Sequence, residues 1–374
     1  MFFKDVIGQQ EIKGRLIKSV KEERISHAQL FSGPEGIGKL TIAIAYAQFI
    51  SCRNRGETDS CGVCPSCHKY QKLSHPDLHF VFPVYSTGKV KKPTSDDFLK
   101  QWREFVLKDS YFTLSQWFSF INVENAQGMI YEAESASILK KLNLKSFESE
   151  FKVMIIWLPE RMNIACANKL LKMIEEPPSK TLFILVTENE ENIISTIRSR
   201  AQLVKIPRID KDSMKEAIIA SSGLDSYVVE EIVHLANGNY IKSQEFQNPD
   251  EDSLYYFTRF QELMRYAYKP DTLELIQWAD GLSGIGREKQ KGFFIFALRL
   301  LREYFVLNMD QPALNYLNKE EKGWGQKFSP FVNERNIIQM NAEFELAFKH
   351  ISMNGNPRIL FLDIALRTAK LIRK

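Results

Sequence analysis

No apolar run in this chain reaches membrane-spanning length. The best candidate among its 374 residues, 293–307, is broken by Arg299, Arg302 and Glu303, which excludes a lipid-crossing helix there. Net charge is small: 50 basic against 46 acidic residues leave +4. That balance is too mild to mark a nucleic-acid binder, so any basic surface must be local. The opening Met1-Phe2-Phe3-Lys4-Asp5 lacks a signal-peptide layout. A soluble, cytoplasmic protein without a membrane partner is the expectation. The composition, 44% hydrophobic and 26% charged, is that of an ordinary globular chain long enough for two or three domains.

Cysteine is scarce but clustered. Four of the five fall at Cys52, Cys61, Cys64 and Cys67. In a reducing compartment such a cluster reads as metal binding rather than disulfides. The two-residue spacings let one tight turn present two sulfurs, with Gly62 and Pro65 bending the chain. Four thiolates make a closed tetrahedral site with no position for water, so structural zinc is expected. Four reduced, unligated cysteines and an iron–sulfur cluster are the alternatives. His68 is not needed to complete the set, and Cys166 reads as a small core residue.

Residues 33–40 read Gly-Pro-Glu-Gly-Ile-Gly-Lys-Leu. Gly33, Gly36, Gly38 and Lys39 are what a phosphate-binding loop needs to wrap N–H groups and an ammonium around phosphates. A short apolar run, 27–32, precedes the loop, and an alanine-rich helical pattern, 39–51, follows it. Strand, glycine loop and helix are the context such a loop requires. What is missing is the chemistry. The position after the lysine should carry a hydroxyl for Mg²⁺, and here it is Leu40, which cannot ligate a hard cation. Thr41 lies one residue further along the helix and points elsewhere.

The run 152–157 predicts a buried strand. In nucleotide hydrolases the corresponding strand ends in two acidic residues, one for the Mg²⁺ shell and one for the attacking water. Here those positions are Trp157 and Leu158, and Glu160 lies past the strand end. Asn163 is placed to cap a helix with an apolar stripe through Ile164, Ala167, Leu170, Leu171 and Ile174, ended by Pro177-Pro178. Further strands are expected at 181–187 and 203–206. Strands alternating with helices imply a parallel α/β sheet covered on both faces. Pro207 closes that domain.

Beyond it, 208–250 reads as a small helical unit, with helices at 212–221 and 225–236, Gly238 as a stop and Asn248-Pro249-Asp250 as a linker. From 251 to 374 only helical periodicity is visible. The segment 85–120 is basic at Lys89, Lys91 and Lys92, then dense in rings: Trp102, Phe105, Tyr111, Phe112, Trp117, Phe118 and Phe120. It reads as a helical insertion packing its rings on the domain. A nucleic-acid stacking surface is the minor alternative.

Several stretches occur in the order seen in the bacterial clamp-loader family of AAA+ proteins, which load the sliding clamp on DNA. They include Phe3 to Gln9, Ser26-His27-Ala28, the glycine loop, the four cysteines, His75-Pro76-Asp77 and Glu160-Arg161-Met162. Ala167 to Lys172, Glu175 to Pro178, Thr196 to Arg200 and, near the end, Asn354 to Arg358 continue the series. The resemblance covers most of the chain and is most specific over 1–80 and 152–206. It implies an AAA+ P-loop domain (1–207) with a zinc module (52–67) and an insertion (about 85–120), then a helical lid (208–250) and an all-α collar (251–374). Within the family the chain resembles the delta-prime type, whose own site is degraded, rather than the gamma/tau motor, which usually carries more chain beyond the collar. At the family's second sensor, Gly238-Asn239-Tyr240 leads to Ile241 instead of an arginine.

The family's Ser-Arg-Cys motif corresponds to Ser199, Arg200 and Ala201. The resemblance gives Arg200 the role of a finger reaching a neighbouring subunit's ATP, a task suited to an always-charged planar fork. The residues alone would also allow Arg198 and Arg200 simply to solvate a loop. The implied partners are gamma/tau and delta subunits, and through them the sliding clamp and primed DNA. The implied activity is participation in a DNA-directed DNA polymerase holoenzyme during replication, with no intrinsic ATPase, weak or no nucleotide at Gly33, Gly36, Gly38 and Lys39, and no Mg²⁺. Two other readings stand beside it: an active ATPase using Lys39 and Glu160, and a zinc-bearing DNA-binding module using 89–120.

Overall fold

A computed structural model describes residues 1–86, 92–123, 128–224, 226–247, 251–269, 272–309, 311 and 314–374. The expected linker Asn248-Pro249-Asp250, the basic residues Lys89 and Lys91, and Asp225 lie outside the described residues. The chain divides into two compact units, Met1–Gln244 and Glu245–Lys374.

The first unit is built on five parallel strands: β1 (Ala28–Ser32), β2 (Leu78–Val81), β3 (Lys152–Trp157), β4 (Thr181–Thr187) and β5 (Gln202–Lys205). Their order is β2-β3-β4-β1-β5. The three inner strands are apolar runs buried at every position, as a parallel sheet covered on both faces requires. Register pairs Leu30 with Leu185 and Ile155 with Ile184. Alternate residues of β1 serve opposite faces. Ala28 and Leu30 join Met154, Leu185 and the helix Ile164–Glu175 in one core. On the other face Gln29 donates to the Tyr46 hydroxyl at 3.2 Å. The helix Lys39–Ser51 is buried at all of its positions, and its small residues Ala43, Ala45 and Ala47 suit such burial. β5 is an edge strand with only Val204 buried, and Lys205 on it discourages further pairing.

The helix Ile164–Glu175 begins as its sequence dictates, with the Asn163 side chain accepting the Cys166 N–H at 2.8 Å. Short helices 211–222, 226–236 and 240–247 follow the sheet. Gly238 takes a left-handed φ of 75° between the last two. The sequence pattern does not predict the opposite edge strand, β2. It spans four residues and includes His79, so it offers no apolar run. Asp77 anchors it by accepting the N–H groups of Phe147, Glu148 and Ser149.

The second unit, as expected, is helical. Helices at 251–268, 272–283, 287–307, 319–328, 337–352 and 357–371 enclose Phe260, Trp278, Phe293, Phe294, Phe344 and Phe361. Phe294 and Phe361 stack at 5.0 Å. Among the described residues no helix is long and apolar enough to cross a membrane.

Candidate functional site

The glycine loop leaves the carboxyl end of β1 and runs into the N-terminus of the helix Lys39–Ser51, where N–H groups and the helix dipole favour anions. Gly36 and Gly38 hold φ of 75° and 83°, a conformation glycine adopts without a Cβ penalty. Space explains the rest of the glycine requirement. A Cβ on Gly36 would meet the Asn239 side chain at 1.8 Å, and one on Gly38 would meet the Tyr111 hydroxyl at 2.5 Å. What approaches this loop closely is the protein's own chain.

The positions that would carry Mg²⁺ chemistry are sealed and apolar. Leu40, Trp157 and Leu158 are buried there, and so is Ile241 at the expected second-sensor position. Trp157 packs its ring on Trp102 at 5.3 Å and on Phe112 at 5.1 Å. The Thr41 hydroxyl is turned to Ser110 Oγ at 3.0 Å. Among the residues around the loop, Gly36, Lys39, Tyr111, Trp157, Glu188 and Ile241 line a cavity of about 30 Å³, room for a water but far below the roughly 300 Å³ of a small-molecule site.

Lys39 is buried and its Nζ donates to the Pro34 carbonyl. Burial lowers its pKa, while Glu188, Glu35 and Glu160 oppose that shift. Glu188 is an exposed residue whose side chain also borders the small cavity beside Lys39. Burial of its carboxyl raises the pKa to about 7, Lys39 pulls it down, and the like charges of Glu35 and Glu160 add to the rise. Glu160 is engaged structurally: its Oε1 accepts the Glu188 N–H at 3.0 Å. Asn239 belongs to the segment read as the second sensor, whereas nothing in the sequence alone places Tyr111 or Glu188 at this site. Only the expectation that the insertion's rings pack on the domain pointed toward Tyr111. That packing is present, with Trp102 and Trp117 fully buried, so those two rings are not available as a nucleic-acid stacking surface.

The four clustered cysteines converge. Their sulfurs all lie within 4.8 Å of one another, and Cys61 and Cys67 are 3.9 Å apart. Sulfurs about 2.3 Å from a tetrahedral zinc stand roughly 3.8 Å apart, so the set fits that ion. Cys64 caps the short helix Pro65–Gln71, and Pro65 takes its first position. The Cys61 N–H points to Cys52 Sγ at 3.3 Å. Cys166 lies instead in the sheet core.

Arg200 is exposed on the turn between the helix Ser195–Arg198 and β5. Its Nε lies 2.6 Å from Glu175 Oε1. Its Nη1 donates to the Thr196 carbonyl at 3.1 Å and to Ser199 Oγ at 3.3 Å. It is not among the residues lining the cavity at the chain's own loop.

Residues 8–210, more than half of the chain, match the family described as DNA polymerase III, delta subunit. The DNA polymerase III subunit delta' of Bacillus subtilis (strain 168) is 25% identical over 65% of this chain and 60% of its own length. The DNA polymerase III subunit gamma of Buchnera aphidicola is 27% identical over 64% of this chain and 55% of its own. The chain thus spans somewhat more than half the length of these relatives. A solved gamma subunit-related protein of Thermotoga maritima aligns over 96% of this chain and 99% of its own at 12% identity, with a TM-score of 0.37. This chain belongs to the DNA polymerase III delta subunit family.

Proposed function

We propose that this chain is a non-hydrolysing, delta-prime-type subunit of a clamp loader, supplying Arg200 to the ATP site of a neighbouring gamma/tau-type subunit while the complex loads the sliding clamp on primed DNA. Identity does not choose between the types, because gamma relatives are as similar as the delta-prime one. The observation that carries the choice is the filled glycine loop, with Tyr111 against Gly38 and apolar Leu40 and Trp157 at the metal and acid positions. Phosphoryl transfer rests on positioning and charge stabilisation, so a site without cation ligands or a water-polarising acid has lost its means.

Arg200 supports the remaining role. Its guanidinium is at the surface, and Glu175, Thr196 and Ser199 hold its fork in one orientation. Such a fork can stabilise charge developing on a transferring phosphoryl group of another chain. Residues 208–250 would act as a lid and 251–374 as the collar through which the gamma/tau and delta partners are held. Zinc at Cys52, Cys61, Cys64 and Cys67 would stiffen the segment after the helix Lys39–Ser51 and take no part in the chemistry.

The test is ATP turnover by the purified chain, by a gamma/tau-type subunit, and by the complex assembled with delta, clamp and primed DNA. The expected result is none from this chain alone and a loss in the complex when Arg200→Ala is introduced. Undiminished turnover in that complex would remove the finger role.

A further inference from the structure

The insertion 85–120 plays no part in the proposed arginine-finger role. Its anchor is a packed platform: Phe82 stacks on Trp102 at 4.1 Å, and Trp117 Nε1 donates to the Pro83 carbonyl at 3.2 Å. From this platform the turn 109–113 projects between the helices Leu99–Lys108 and Leu114–Phe120. The turn is closed by one internal hydrogen bond and braced by three outside residues. Asp109 Oδ1 accepts the Tyr111 N–H at 2.8 Å, and Asp109 Oδ2 accepts from Gln244 Nε2 at 3.1 Å. Ser110 Oγ accepts from Thr41. Phe112 lies on Trp157.

Tyr111, at the tip, meets three segments that are remote in sequence. Its hydroxyl accepts the Ile7 N–H at 3.0 Å. The same hydroxyl occupies the space a Cβ on Gly38 would fill. Its ring meets Tyr240 edge to face at 5.0 Å. Asn239 and Tyr240 complete the closure, with the Tyr240 N–H donating to the Gly36 carbonyl at 2.8 Å.

We infer that Tyr111 is a resident plug of the glycine loop. It stands over the helix N-terminus where a ligand's phosphates would lie, and it joins the amino-terminal segment, the loop and Tyr240. The turn 109–113 carries this joint. The inference concerns the chain's own loop and stands whether or not Arg200 serves another subunit.

Hydrogen exchange on the full chain tests it, with ATP and inorganic pyrophosphate as probes. In the unsubstituted chain, either probe at about 1 mM should leave exchange at 36–42 unchanged; new protection there overturns the plug. Tyr111→Ala should speed exchange at 240–247 by at least about tenfold, which corresponds to about 1.4 kcal/mol, while 153–156 and 182–186 stay protected. Unchanged exchange at 240–247 overturns the joint. Tyr111→Phe keeps the ring and removes the hydroxyl, so it remains informative if the alanine variant does not fold. It should release the Ile7 N–H and leave 240–247 protected; an unaffected Ile7 N–H contradicts the assignment.

Discussion

Arg200 Nε sits 2.6 Å from Glu175 Oε1, and both side chains are about two-fifths exposed. An exposed pair of this kind contributes roughly 0–1 kcal/mol to folding. Arg200→Ala should therefore leave denaturant-induced unfolding of the isolated chain almost unchanged. In the assembled complex the same substitution should abolish turnover at the ATP site it is proposed to serve, a loss there on the order of 10³-fold. Arg200→Lys should not rescue it, because a point charge cannot reproduce the planar fork. A stability loss large enough to disassemble the complex would instead mark Arg200 as structural.

The four-sulfur cluster predicts one zinc per chain in protein purified under reducing, chelator-free conditions. Cys61→Ser should lower that content and the thermal midpoint together. Cys166→Ser should leave the metal content intact, since Cys166 lies in the sheet core. Metal analysis of the two variants, with thiol titration before and after chelation, checks both statements. Near-zero zinc in the unsubstituted protein defeats the assignment.

Glu188 predicts a pH dependence. Its folded pKa is raised from 4.5 to about 7 by burial and by Glu35 and Glu160, against Lys39. In that window the folded chain holds more protons than the unfolded one, so rising pH costs stability. The contribution is fully present below about 4.5 and is lost as pH rises through about 7. Glu188→Gln should flatten this part of the curve. Glu188 is exposed, and solvent screening keeps the effect small. Denaturant melts of both proteins at several pH values between 4 and 8 decide it; parallel curves contradict it.

The sheet predicts unequal sensitivity to truncation. Leu185 is fully buried in β4, whereas Leu203 on β5 is 39% exposed. Leu185→Ala should cost about 2–5 kcal/mol and Leu203→Ala within about 0.5 kcal/mol, by equilibrium unfolding. Equal effects would contradict the placement of β5 at the edge.

Much of this architecture is legible along the chain because its signals are local. The runs at 152–157 and 181–187 are apolar at nearly every position, and Asn163 and Pro177 bracket the helix between them. β2 is not legible, because four residues including His79 carry no periodic signal, and parallel pairing supplied the rest. The apolar residues Leu40, Trp157 and Leu158, from which the proposed loss of metal chemistry is argued, are legible by type and position alone. What fills the vacated loop is not disclosed. Tyr111 lies far along the chain from Gly38, and its partners Ile7 and Tyr240 are as distant. Only the folded insertion brings them together. Glu188 is hidden for the same reason, since its pKa depends on where Lys39, Glu35 and Glu160 converge.

The most direct test of the central claim is ATP hydrolysis by the purified chain alone, set beside the assembled complex with and without Arg200→Ala. The account predicts no turnover by the chain alone, robust turnover by the complex, and a loss in the complex on substitution. Robust turnover by the isolated chain would contradict it.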